Sequence, residues 1–140
     1  MFDKLAVAVD QSEESDRAVA AARDLALLSH GVVRLLHVRE AQVVAGKGGG
    51  VFELEEVEDI EQLLQKEIAV FEAAGVPVTT ELRHAVLGHT AIEIVAGAEE
   101  YGADVIVMGC RGRSELASLV LGSNAYKVLH LAKRPVLIVR

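Results

Sequence analysis

Val105-Ile106-Val107-Met108 runs without a break into Gly109-Cys110-Arg111-Gly112, and after nine further residues the chain reads Gly122-Ser123. The first four residues have the pattern of a buried strand. Just after the serine, Ala125, Val128, Leu129 and Ala132 fall on one face of a helix. Strand, glycine-rich loop and helix start form the layout that turns backbone N–H groups toward a phosphate. Glycine lets the main chain approach an anion with no Cβ in between, and it tolerates positive φ. The stretch predicts a nucleotide site built on the C-terminal end of a strand.

Working outward, four more apolar runs alternate with helical patterns: residues 5–9, 32–38, 77–82 and 136–139. The runs at 5–9, 105–108 and 136–139 are almost wholly apolar, as parallel strands covered on both faces require. The second run carries Arg34 and His37 and is less regular. Ser12 is placed to cap a first helix, with Glu13 and Glu14 suiting its positive end; Ala18, Ala22, Leu25 and Ala26 make its buried face and Gly31 ends it. Val57, Ile60, Leu64, Ile68 and Phe71 form the stripe of a second helix stopped at Gly75. Thr90 is a candidate cap for a third helix, which buries Ala91, Val95 and Ala98 and stops at Gly102. Lys133 and Arg134 close the fourth, and Pro135 breaks its pattern.

Alternating strands and helices predict an α/β fold: a doubly wound five-stranded parallel sheet of order 3-2-1-4-5, helices on both faces, in a single domain over residues 1–140. In such sheets ligands bind beyond the strand C-termini where the order reverses. That places Asp10, ending the first strand, and Gly109, ending the fourth, on one crevice, bordered by Val38 at the end of the second. The low-complexity stretch Gly46-Lys47-Gly48-Gly49-Gly50 falls in the loop after the second strand. It reads as mobile, either a plain surface loop or a lid whose Lys47 reaches an anion.

Composition narrows the function. A chain of 140 residues with formal net charge −7 is ill suited to non-specific nucleic-acid binding or to an anionic membrane. No apolar run approaches the ~20 residues of a membrane span. The first residues lack a signal-peptide core, and there is one cysteine, so a cytoplasmic protein is expected. No P-loop Gly-Lys-Ser/Thr occurs, and the glycine spacing is not the dinucleotide fingerprint. His84 and His89 have no zinc spacing, and no metal-binding residue is expected. No catalytic constellation emerges; at most, oriented phosphates and Mg²⁺ would give slow ATP hydrolysis.

The chain resembles the universal stress protein family in its nucleotide-binding branch. That family's signature is Gly, two residues, Gly, nine residues, Gly and then Ser or Thr, met here at Gly109, Gly112, Gly122 and Ser123. The start, Ala6-Val7-Ala8-Val9-Asp10 with Ser12 and Ser15, and the end, Arg134-Pro135-Val136-Leu137-Ile138-Val139, are similar too. The resemblance implies a dimeric, regulatory stress-response domain binding ATP or AMP, with Mg²⁺ accompanying a triphosphate. It places Val9, Asp10 and Val38 at the adenosine end and Met108, Gly109 and Gly112 along ribose and phosphate. Gly122, Ser123 and Asn124 would receive the phosphates. Where the family often has valine and a second hydroxyl residue after Gly-Ser, this chain has Asn124 and Ala125.

Several readings stay open. Asp10 either accepts from the nucleoside or caps the turn into the first helix. Ser123 either contacts phosphate, caps the fourth helix, or does both. Arg111 and Arg113 either pair with phosphates or are ordinary surface arginines. Cys110 is a redox thiol or a small filler. The apolar run Val136–Val139 lies at a sheet edge and invites pairing with its own copy in a two-fold homodimer. The rivals to a nucleotide-regulated module with a signalling partner are a dimeric interaction protein that uses no nucleotide and a weak ATPase.

Overall fold

The computed structural model describes residues 1–112 and 120–140. Among these described residues, six strands, β1 (Lys4–Ala8), β2 (Val32–Val44), β3 (Gly50–Glu53), β4 (Val78–Val86), β5 (Val105–Gly109) and β6 (Val136–Val139), are interspersed with four helices. These are α1 (Glu13–Ser29), α2 (Val57–Ala73), α3 (Thr90–Tyr101) and α4 (Ser123–Leu131). The five parallel strands run β4-β2-β1-β5-β6. This is the 3-2-1-4-5 order expected from the alternation, with reversal between β1 and β5.

The sheet is not purely parallel, nor five-stranded. β2 continues past Val38 to Val44 and folds back on itself, pairing antiparallel with β3 from Ala41↔Glu53 to Val44↔Gly50. The glycine-rich stretch is the turn of this hairpin. Gly46 and Gly48 adopt φ of 100° and 84°, and the Gly49 N–H closes on the Gly46 carbonyl at 2.9 Å. Only glycine adopts two such positive φ values in one tight turn without steric cost. In β2, odd-numbered residues bond toward β4 and even-numbered ones toward β1, as in Val33 N to Pro77 O and Val9 N to Leu36 O. Leu54 N donates to Glu40 O at 3.0 Å, so the returning strand lies on the β1 side of β2, beyond the end of β1.

Both faces of the central strands are buried. Leu5, Val7, Leu35 and Val107 pack with Ala18, Ala22 and Phe71 on the side of α1 and α2. Ala6, Leu36, Ile106 and Met108 pack with Ala91, Ile94 and Val128 on the side of α3 and α4. Successive strand residues point to opposite faces, so a strand covered twice must be apolar at every position. This is why the central strands read as unbroken apolar runs.

Helix limits follow local chemistry, with adjustments. Ser12 caps α1, accepting from Ser15 N, but the left-handed closing residue is His30 rather than Gly31. Gly31 is small for another reason: a Cβ there would sit 2.8 Å from the Phe2 carbonyl. In α2, Leu63 rather than Leu64 is fully buried, and Val57 is exposed. α3 begins at Thr90 with His89 as its cap, and α4 begins at Ser123 with Gly122 as its cap, so neither hydroxyl residue is the cap itself.

One buried acid departs from the apolar stripe of α2. Glu67 is 1% exposed, with its Oε1 3.6 Å from Lys66 Nζ, while that same ammonium sits 2.7 Å from Asp16 Oδ1 of α1. Burial first, and its hydrogen bond with Asp16 second, push the Glu67 carboxyl up from 4.5 to about 7. The folded state thus holds a proton that the unfolded chain releases near 4.5. Stability from this group falls as pH rises through the window between those values. Glu67→Gln should flatten that dependence and raise stability above neutral pH by roughly 1–3 kcal/mol. Urea midpoints of both proteins at about pH 5 and about pH 8 test it; a constant difference between them would refute the assignment.

Candidate functional site

The connection after β1 leads to α1 on one face, and the connection after β5 leads toward α4 on the other. Between them a crevice of about 400 Å³ opens at the strand C-termini. That is within the size range of small-molecule sites. β1 contributes Ala8 and, just beyond it, Val9 and Asp10; β2 contributes Leu36, His37, Val38 and Glu40; β5 contributes Met108 and Gly109. The N-terminal turns of three helices complete it, with Ser12 and Ser15 from α1, Thr90 and Ile94 from α3, and Asn124 and Ala125 from α4. Each N-terminus carries partial positive charge and N–H groups lacking intrahelical acceptors, so the crevice favours an anion despite the acidic chain.

Eight of the ten residues singled out in the sequence line this crevice: Val9, Asp10, Val38, Met108, Gly109, Arg111, Gly112 and Asn124. Gly122 and Ser123 do not. Gly122 is buried, and its N–H donates to the Cys110 carbonyl at 2.6 Å, so its amide is engaged in holding the start of α4. Its φ of −72° is one any residue adopts. Ser123 is exposed at the first position of α4. Arg113 lies outside the described residues.

Asp10 closes the turn into α1. Its Oδ1 accepts from Ser12 N at 2.8 Å and from the Ser12 hydroxyl, while its own N–H donates to Ser15 Oγ at 2.9 Å. The turn-capping reading is thus present in the structure, on a carboxylate that also faces the crevice. Arg111 lines the wall with its guanidinium 2.6 Å from Glu14 Oε1. Glu14 also meets Arg17 at 3.3 Å. The Glu14 carboxyl lies below its ordinary value because of its own backbone hydrogen bond and then Arg111. Cys110 is buried, as a small filler would be.

Gly109 serves packing as well as approach to the crevice. A Cβ there would lie 2.8 Å from Glu14 Cβ and 2.9 Å from Glu14 C, so the first turn of α1 rests directly on the end of β5.

Several crevice residues escape sequence reasoning. Leu54 and Glu55 come from the chain between β3 and α2, to which the sequence assigns no role. His37 had registered only as an irregularity in an apolar run. It is 3% exposed, with Nδ1 2.7 Å from the Val9 carbonyl oxygen and Nε2 2.9 Å from Glu55 Oε1. Thr90 is 8% exposed, and its hydroxyl is one of three buried side-chain polar atoms without a hydrogen-bond partner among the described residues. A buried orphan hydroxyl costs about 1–3 kcal/mol.

Comparison with known proteins agrees with this geometry. The family model described as "Universal stress protein family" matches residues 1–140. The chain is 38% identical over 149 aligned positions to universal stress protein YxiE of Bacillus subtilis, covering all of both chains. It is 28% identical to a universal stress protein solved in complex with cAMP, with a TM-score of 0.70 and coverage of 99% and 97%. The universal stress protein of Archaeoglobus fulgidus in complex with dAMP shares the fold, with a TM-score of 0.74, 23% identity and full coverage of both chains. Among the described residues, no helix is long and apolar enough to cross a membrane.

The contact of Gly109 with Glu14 yields a direct test. Gly109→Ala must push α1 off the end of β5, and it should lower unfolding stability by about 1–3 kcal/mol. Urea denaturation measures it; a variant as stable as the parent would show that the two elements are not in contact.

Proposed function

The chain belongs to the universal stress protein family, and from that premise we propose that its crevice binds an adenine nucleotide, ATP or AMP, as a regulatory ligand. The observation that carries this reading is the convergence of three helix N-termini on one crevice at the sheet's reversal point. A relative bound to cAMP supports the same ligand class. Val9, Asp10 and Val38 take the adenosine end. Met108, Gly109 and Gly112 border ribose and phosphate, and Asn124, with the adjacent Ser123, receives the phosphate tail. Gly122 contributes the closeness of α4 to the end of β5 rather than its amide. Arg111 must exchange Glu14 for phosphate to join them. Mg²⁺ accompanies a triphosphate through phosphate oxygens and water. A signalling partner reads the nucleotide-bound surface.

The spectrum of the purified protein tests this directly. With no tryptophan and two tyrosines, the chain absorbs weakly in the near ultraviolet, so retained adenine would dominate. Calorimetry with ATP and AMP follows. Thr90→Val keeps the shape and removes only the orphan hydroxyl. It should leave the free protein as stable or slightly more so, while lowering nucleotide affinity by roughly 5–10-fold. Protein that emerges free of nucleotide and gives no heat with either ligand would leave a dimeric interaction protein as the better account.

The reading includes a homodimer. β6 ends the strand path, and no strand lies beyond it among the described residues. Its residues are apolar, and Leu137 is 39% exposed. A second copy of β6 would satisfy the open edge through an isologous contact. Leu137→Lys places a charge on that edge and should raise the dimer dissociation constant by at least about tenfold. Light scattering across a concentration series reads the change, and a parent protein that stays monomeric at high concentration rules the dimer out.

A further inference from the structure

His37 makes two contacts that require its protons. The Val9 carbonyl can only accept, so Nδ1 must donate to it across 2.7 Å. Nε2 lies 2.9 and 3.1 Å from the two carboxylate oxygens of Glu55, and with that carboxylate ionised it must donate as well. The ring is then an imidazolium, fixed between the end of β1 and the segment that joins β3 to α2.

That segment is held on β2 by neighbouring residues. Leu54 N donates to Glu40 O at 3.0 Å. Arg39 donates to the Glu55 carbonyl from Nε at 3.2 Å and from its terminal nitrogen at 2.8 Å, and its Nε lies 3.4 Å from Glu53 Oε2. Leu54 and Glu55 both line the crevice. The wall facing the ends of β1 and β2 is therefore not part of the parallel sheet. It is a strap pinned by side chains of β2.

We propose that His37 is a positioning residue whose imidazolium clamps the Leu54–Glu55 strap against the crevice, so that strap closure, and with it nucleotide affinity, is lost when the ring deprotonates. The inference rests on the nucleotide reading for its second half only. On losing its Nε2 proton, the ring turns a lone pair toward the Glu55 carboxylate and the attraction becomes repulsion. The strap loses this side-chain hold and keeps only those of Arg39 and the Leu54 amide, and an uncompensated carboxylate is left on the wall of a site for an anion. Asp10, one residue beyond Val9, adds negative charge near the ring; Glu40 on β2 accepts from the Gly88 amide instead, and Arg39 is the nearby cation and is engaged with the strap itself.

The direction follows from the environment. Burial pushes the His37 ring down, but Glu55, the Val9 carbonyl and the charge of Asp10 together push it above its ordinary 6.5. The clamp is complete below 6.5 and is lost as pH rises through the folded value.

Three measurements on the full chain from about pH 6 to about pH 9 test this: the His37 titration by NMR, amide exchange at Leu54, and calorimetric affinity for ATP. The ring is expected to titrate above 6.5, Leu54 exchange to accelerate beyond base catalysis across that transition, and ATP affinity to fall by roughly 3–10-fold. Glu55→Gln should return the ring toward 6.5 and flatten both other profiles, and its difference from the parent removes the ligand's own titration. A ring that titrates at or below 6.5, or an exchange profile unchanged by Glu55→Gln, overturns the clamp. A high ring value with ATP affinity independent of pH overturns its role in binding. Protein that binds neither ATP nor AMP at any pH, yet shows the ring and exchange transitions, supports the clamp and sinks the nucleotide reading instead.

Discussion

The structure depends on the parting of the chain at two adjacent strands. β1 and β5 pair side by side, yet α1 packs on one face of the sheet and α4 on the other. Two connections leaving neighbouring strands in opposite directions cannot fill the space between them, so a crevice is left at their C-terminal ends. The same arrangement aims the helix N-termini into that space. A crevice at the strand ends follows from topology before any side chain is considered. Side chains then shape and line it.

The close approach of α1 to β5 illustrates how tightly that geometry is set. The absence of a side chain at Gly109 lets the first turn of α1 rest on the strand end, which brings Glu14 to Arg111. Glu14 is shared with Arg17, whose Nε donates to the carbonyl of Arg140 just beyond β6. A short chain of charged contacts thus runs from the crevice wall to the end of the edge strand. An arginine that reads as an available phosphate partner in the sequence already has an acidic partner in the fold. A phosphate must compete with Glu14 for it, which tempers its contribution to affinity.

The acidic chain and the anion-favouring crevice are compatible because they act over different distances. Net charge governs encounter and solubility, and salt screens it beyond about 10 Å. Helix N-termini and main-chain amides act within a single turn. The carboxylates nearest the crevice are largely occupied: Asp10 by Ser12, Glu55 by His37, and Glu40 by the Gly88 amide at 3.4 Å. Their charge is directed into local hydrogen bonds instead of across the opening.

Much of this was legible in the sequence. Unbroken apolar runs announced strands covered on both faces, and the spacing of Gly109, Gly112, Gly122 and Ser123 marked the end of β5 and the start of α4. With the strand order taken as 3-2-1-4-5, the reversal point located Asp10, Val38 and Gly109 together. These signals are local or topological, which is why one chain suffices to read them. The sequence did not reveal that β2 outruns its parallel partner β1 and doubles back through Gly46 and Gly48, because Val43, Val44, Val51 and Phe52 are exposed and show no buried face. Nor could it pair His37 with Glu55, or show that the Thr90 hydroxyl has no hydrogen-bond partner among the described residues. Such facts join residues distant along the chain, and only the folded sheet sets the distances that decide whether a polar group is satisfied or charged.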